Sequence, residues 1–191
     1  MTGQRRIIAL AGLSGSGKST LLRALDGKMP FTHLSASALL RKKTARAGKP
    51  QDSEALRRGD IDDNQHLLVE AFNETTREIA GDIIFDCHTL IDTPTGLQFI
   101  PPAVFRAIGI TDIGFLSVDP QELTARREQD AGRPRPSRTA EELAEHQALA
   151  IAAARKIADT IGATFTDIGI APEEKLVLLL SAGCSQIRGD A

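Results

Sequence analysis

The chain has no tryptophan and no tyrosine, and seven phenylalanines carry all of its aromatic content. Any stacking against a ligand ring therefore falls to Phe, His or the plane of an arginine. Only two cysteines are present, Cys87 and Cys184; they stand far apart and match no metal or redox spacing. That excludes a disulfide framework and leaves free thiols in a reducing compartment. No stretch approaches the ~18 apolar residues of a membrane helix. The apolar run after Arg5-Arg6 is too short for a secretory signal and leads straight into a glycine-rich loop, so it is better explained as a core strand. We expect a cytoplasmic protein without a membrane partner. Charge of one sign is lacking too: 23 Lys and Arg against 25 Asp and Glu give a net charge of −2. Nothing long-range draws such a chain to nucleic acid. With 41% hydrophobic and 25% charged residues in 191, no internal repeat and no linker, it reads as one globular domain.

What is present is concentrated in one stretch. Ile7-Ile8-Ala9-Leu10-Ala11 is apolar and short enough for one buried strand. Gly12-Leu13-Ser14-Gly15-Ser16-Gly17-Lys18-Ser19 then fits the phosphate-loop pattern G-x-x-x-x-G-K-[ST] at every fixed position. Thr20-Leu21-Leu22-Arg23-Ala24-Leu25 follows as a helix. Glycines at 12, 15 and 17 let backbone N–H groups approach an anion, and the helix end that follows favours the same anion. Ser14, Ser16 and Thr20 belong to the same cradle. Lys18 can reach the β- and γ-phosphates, and the Ser19 hydroxyl can ligate Mg²⁺. The stretch predicts binding of a nucleoside triphosphate, with ATP and Mg²⁺ as the expected pair.

Strands and helices alternate along the remainder. Strands are expected at about 5–11, 31–34, 83–86, 112–118 and 163–168. Helices are expected at about 18–28, 36–47 (with Ser35 as N-cap) and from Asp60 to near Gly81. Further helices should start at Pro120, after the Thr139-Ala140-Glu141-Glu142 capping box, and at Pro172. The segment from Cys87 to Pro102, rich in Thr, Pro and Gly, reads as a long functional loop. Such alternation predicts an α/β fold, a five-stranded parallel sheet with helices on both faces, and a ligand at the carboxyl ends of the strands. Residues 1–191 are then expected to form a single P-loop domain, with an insertion at 35–60 for a second substrate and a lid at 126–139.

Other chemistry groups around this frame. Asp86 ends an apolar strand beside the one that delivers the phosphate loop, where a carboxylate can hold the Mg²⁺ shell. Arg126, Arg127, Arg133, Arg135 and Arg138 gather in a Gly/Pro-punctuated flap, and guanidinium groups there can stabilise a transferring phosphoryl group. We assign Arg126, Arg133 and Arg138 to catalysis beside Lys18 and Asp86. Arg41, assisted by Arg57, can pair with the phosphate of a second substrate. His88 and His146 have no companion metal-ligand spacing and read as hydrogen-bonded structural residues.

Two stretches resemble the nucleoside monophosphate kinases, most closely the archaeal-type adenylate kinases. Ile83 to Gly96 is similar to that family's apolar strand followed by Asp-x-His and a Thr-Pro-x-Gly loop. Arg126 to Gln147, ending Glu145-His146-Gln147, resembles its arginine-rich lid and following helix, and Arg57 to Gln65 is similar more loosely. His33-Leu34-Ser35-Ala36-Ser37-Ala38-Leu39-Leu40-Arg41 is similar to the monophosphate-binding motif of the ordinary adenylate kinases, departing at Ser37 and Ala38, where that family has Gly and an acid. The resemblance implies that Ser35 touches the acceptor nucleotide and Arg41 its phosphate. It also implies transfer of the γ-phosphoryl of ATP to AMP, and no structural metal in a lid that lacks cysteines. The residues leave open a kinase of another small molecule, a nucleotide-dependent ATPase switch acting on a protein partner, and assembly into a homo-oligomer.

Overall fold

In a computed structural model the chain is described over residues 5–46, 61–93, 95–130 and 136–185. Seven strands and seven helices occur among them. In chain order they are β1 (Ile7–Ala11), α1 (Lys18–Leu25), β2 (Thr32–Ser35), α2 (Ala36–Arg46), α3 (Ile61–Thr76), β3 (Ile83–Asp86), β4 (Leu90–Thr93), β5 (Gly96–Phe99), α4 (Pro102–Ile108), β6 (Asp112–Phe115), α5 (Pro120–Gln129), α6 (Ala140–Ile161), β7 (Thr164–Asp167) and α7 (Pro172–Ser185).

Five strands form one sheet in the order β2-β3-β1-β6-β7, and every pairing is parallel. The expected α/β architecture is thus the observed one. Helices cover both faces because β1 is apolar at every position, as a strand buried on both sides must be. Its alternation sorts the core. Ile7, Ala9 and Ala11, with Ile83 and Phe85, pack towards Leu68 and Phe72 of α3, Phe105 of α4, and Leu143 and Ala154 of α6. Ile8, Leu10 and Ile84 pack towards Leu21, Leu22 and Leu25 of α1 and Leu176 and Leu180 of α7. Phe72 meets Phe85 edge to face at a centroid distance of 5.1 Å, a geometry that adds about 0.5–1.5 kcal/mol to the burial of the rings.

Several expectations are corrected. The segment 87–102 is not a loop: β4 and β5 form an antiparallel hairpin in which Leu90 pairs with Phe99 and Thr93 with Gly96. Thr, Pro and Gly there mark its turn, where Thr93 Oγ1 donates to the Gly96 carbonyl at 2.7 Å. Helix α4 follows, with Pro102 in its first turn, and was not expected. Helix α3 stops at Thr76, short of Gly81. Helix α1 stops at Leu25, short of 28. Ser35 ends strand β2 and is the residue immediately before α2, the place expected for its N-cap. Strand β6 ends at Phe115, because the chain peels off the sheet after Leu116 donates to the Ala11 carbonyl at 2.8 Å. The proposed caps and helix starts at Pro120 and Pro172 stand, and the Thr139–Glu142 capping box is complete in both directions. Asp60 and most of the 35–60 segment lie outside the described residues.

Candidate active site at the carboxyl edge of the sheet

The register places the chemistry. Leu10 of β1 pairs with Asp86 of β3, and Ser35 of β2 pairs with the same Asp86. The loop that leaves β1 therefore emerges beside the acid that ends β3, and beside the serine that ends β2. On the other flank Ala11 pairs with Phe115 of β6.

Residues 12–17 then turn into α1. Gly17 is the N-cap at φ 97°, a left-handed angle that costs an L residue roughly 1–2 kcal/mol. Its open side is filled as well: a Cβ there would stand 3.0 Å from Nη1 of Arg126. Gly15, at φ 91°, is crowded in the same way by Arg127, whose Cγ would lie 3.1 Å from such an atom. Both glycines are thus demanded by the turn and by the arginines on it.

Lys18 folds back over the loop that precedes it. Its Nζ donates to the Gly12 carbonyl at 3.1 Å and to the Leu13 carbonyl at 3.4 Å, and lies 3.7 Å from Oδ1 of Asp86. Lysine and aspartate side chains are only 7% and 13% exposed, so their attraction acts with little screening by water. His88 joins them through Nδ1, 2.6 Å from the Gly12 carbonyl oxygen. A carbonyl only accepts, so the Nδ1 position carries the proton. Cys87, between Asp86 and His88, is fully buried; burial pushes its thiol far above the ordinary range, the Asp86 charge adds to this, and it stays a neutral packing group.

The arginines divide into two groups. Arg126 Nη1 donates to the Ser16 carbonyl at 2.9 Å while its Nη2 pairs with Glu122 at 2.6 Å. Arg127 Nε donates to the Ser14 carbonyl at 2.9 Å. Both therefore stand on the phosphate loop. Arg138 is held elsewhere: Nε and Nη2 make a fork onto Asp92 of β4, at 3.2 and 3.0 Å, and Nη1 lies 3.4 Å from Glu142. The hydrogen bonds it donates to Asp92 raise its pKa further, so it is a fixed charge. Arg57 and Arg133 lie outside the described residues. Ser35 Oγ is 3.1 Å from Ser37 Oγ, and Arg41 is half-buried on α2, the helix that follows β2.

The structure thus brings Gly12, Ser14, Gly15, Ser16, Gly17, Lys18, Asp86 and Arg126 into one site, with Ser35 one strand away and Arg138 on the hairpin. Ser19 and Thr20 occupy the first turn of α1 and are exposed. The Ser19 hydroxyl and the Asp86 carboxylate are oxygen donors of the kind a hard divalent cation takes. The buried Ser16 hydroxyl has no hydrogen-bond partner among the described residues, an open position within the loop. Sequence reasoning undervalued Arg127, whereas His88 is hydrogen-bonded as expected, on the Gly12 carbonyl. His88 stands two residues after Asp86, on the same side of an extended chain, and that spacing was the available signal.

Comparison with known proteins places the chain in a family and its fold among known folds. The model of the AAA domain family matches residues 11–144, from the end of β1 into the first turns of α6. The adenylate kinase of Pyrococcus furiosus is 29% identical over 153 residues, covering 78% of each chain. That of Methanothermobacter thermautotrophicus is 25% identical over 163 residues, covering 83% of this chain and 87% of its own. Among solved structures, a shikimate kinase from Acinetobacter baumannii in complex with shikimate superposes with a TM-score of 0.60, at 18% identity and 96% coverage of both chains. That likeness speaks for the fold.

Proposed function

The chain belongs to the AAA domain family and is a phosphotransferase similar to the adenylate kinases, and from that premise we propose that it transfers the γ-phosphoryl group of ATP to AMP, giving two ADP. The observation that carries the proposal is the meeting of Lys18 and Asp86 at the mouth of a phosphate loop, with Ser35 in register on the next strand. Loop N–H groups and the N-terminus of α1 hold the triphosphate. Lys18 moves from loop carbonyls to the β- and γ-oxygens, exchanging one set of acceptors for a more strongly charged one. Ser19 and Asp86 would hold Mg²⁺, which would supply neutralisation of the charge on the phosphates. Arg126 braces the loop from α5 and lies within reach of the same charge. Ser35 and Arg41 receive the acceptor, whose phosphate oxygen attacks the γ-phosphorus as the bond to the β-bridging oxygen breaks. Arg57, with the acceptor, and Arg133, in the lid, complete the set, and Arg138 joins them only on leaving its fork with Asp92. No covalent intermediate is needed, since positioning and charge stabilisation supply the rate.

AMP is favoured over other acceptors by the two adenylate kinase relatives and by the similarity of the 33–41 segment to a monophosphate-binding motif. The test is ADP formation from Mg-ATP with each common nucleoside monophosphate added singly. A strong signal with AMP above the no-acceptor control is expected. Equal slow background in every reaction would overturn the reading.

A further inference from the structure

The hydrogen bonds described for Gln147 bypass the loop: its amide makes a reciprocal pair with one backbone unit on the path to it. The β6 ladder ends where Leu116 N donates to Ala11 and Ile168 N donates to Phe115 at 2.9 Å. Ser117 is then tied by its hydroxyl to Asp167 Oδ1 at 2.6 Å. Val118 follows, half-buried. Its N–H donates to Gln147 Oε1 at 3.0 Å, and its carbonyl accepts from Gln147 Nε2 at 2.9 Å. The side chain on α6 thus acts as one more residue of strand partner for β6. Both bonds form in only one orientation of the amide, so the pair fixes that orientation as well as the position of Val118.

Val118 is two residues before the start of α5. Asp119 caps that helix, accepting from the N–H groups of Gln121 and Glu122 at 2.9 and 3.1 Å. Leu123 anchors it in the core, and two turns along it Arg126 and Arg127 meet the Ser16 and Ser14 carbonyls. A shift of Val118 is carried to both arginines, because a capped helix moves as a unit.

We propose that Gln147 is a positioning residue that sets the origin of α5, and so holds Arg126 and Arg127 in register with the phosphate loop. It acts on the ATP side alone, since the acceptor residues Ser35, at the end of β2, and Arg41, on the helix after it, lie by the strand three places from β6. The inference rests on the loop holding ATP and is independent of which acceptor is used.

The test is calorimetric binding of Mg-ATP, without acceptor, to the full chain and its Gln147→Leu and Gln147→Glu variants. Gln147→Leu strips both bonds from Val118. Gln147→Glu keeps the size and the bond from Val118 N–H, and serves if the leucine variant does not fold. The expected result is an ATP Kd raised by about tenfold in folded protein, since displacements of an ångström far from the chemistry have effects of that order or more. In an Arg126→Ala, Arg127→Ala chain the same substitution should weaken ATP no further. An unchanged ATP Kd, with only the melting temperature lowered, would overturn the proposal, and so would an equal further weakening in the arginine-free chain. Failure of AMP to act as acceptor would leave these readings as they stand.

Discussion

The two edges of the sheet use the same kinds of side chain to opposite ends. At the amino edge Asp112, the first residue of β6, is closed on all sides. Its Oδ1 accepts from Thr164 at 2.6 Å, and its Oδ2 accepts from Thr111 and Arg6, both at 2.8 Å. Arg6 also donates from Nη1 to the Leu179 carbonyl at 2.6 Å, which ties α7 to the same point. At the carboxyl edge Asp86, the last residue of β3, faces its cation at 3.7 Å, beyond hydrogen-bonding distance. The neighbouring Ser16 hydroxyl has no partner among the described residues. Saturated groups fix strands β1, β6 and β7 in register, while under-coordinated ones keep binding capacity for a ligand. The difference separates residues kept for stability from residues kept for chemistry.

Breaking each edge in turn should give opposite signatures. Lys18→Ala, at the open edge, removes the charge that follows the phosphoryl group. We expect turnover to fall by about 10²–10³-fold, with far-UV circular dichroism and melting temperature close to the parent. An active Lys18→Ala enzyme would sink the assignment of the site. Asp112→Ala, at the closed edge, leaves Arg6, Thr111 and Thr164 without their shared acceptor. Removing one member of such a network destabilises by roughly 2–3 kcal/mol, read as a lowered midpoint of urea unfolding. Activity per folded molecule should stay at the parent level. Loss of activity without loss of stability would mean that the amino edge is not merely structural.

How far this contrast could be read beforehand depended on the range of each interaction. The phosphate loop was legible because its pattern lies within eight consecutive residues and its strand and helix are contiguous with it. The capping box of α6 was legible for the same reason. The β4–β5 hairpin was missed because its strands are four residues each and Thr-Pro-Thr-Gly reads as loop until the pairing of Leu90 with Phe99 is known. Arg126 was chosen for its position in a basic cluster, but its partner, the Ser16 carbonyl, is 110 residues away. Only the adjacency of β1 and β6 brings the two together. Arg138, from the same cluster, is taken by Asp92 across another long-range contact. Composition could not sort these arginines, since the sorting is done by strand order.

The smallest effect should be the most specific. Burial would raise the Asp112 carboxyl, but hydrogen bonds from Thr164, Thr111 and Arg6, with the charge of Arg6, outweigh it and hold the pKa below the usual 3.8. A depressed carboxylate contributes stability that is fully present above its unfolded pKa and is lost as pH falls through its folded one. The contribution should therefore be constant well above the unfolded value of 3.8 and fade as pH falls through it towards the lower folded one. Asp112→Asn keeps the shape and removes the titration. Its melting temperature should lie below the parent's at neutral pH, and the gap should narrow as pH falls through that acid window. The common loss from all other carboxylates cancels in the difference. A gap that stays constant down to the acid limit would show that Asp112 titrates alike in the folded and unfolded chain, and the closed edge would then owe its stability to packing rather than to charge.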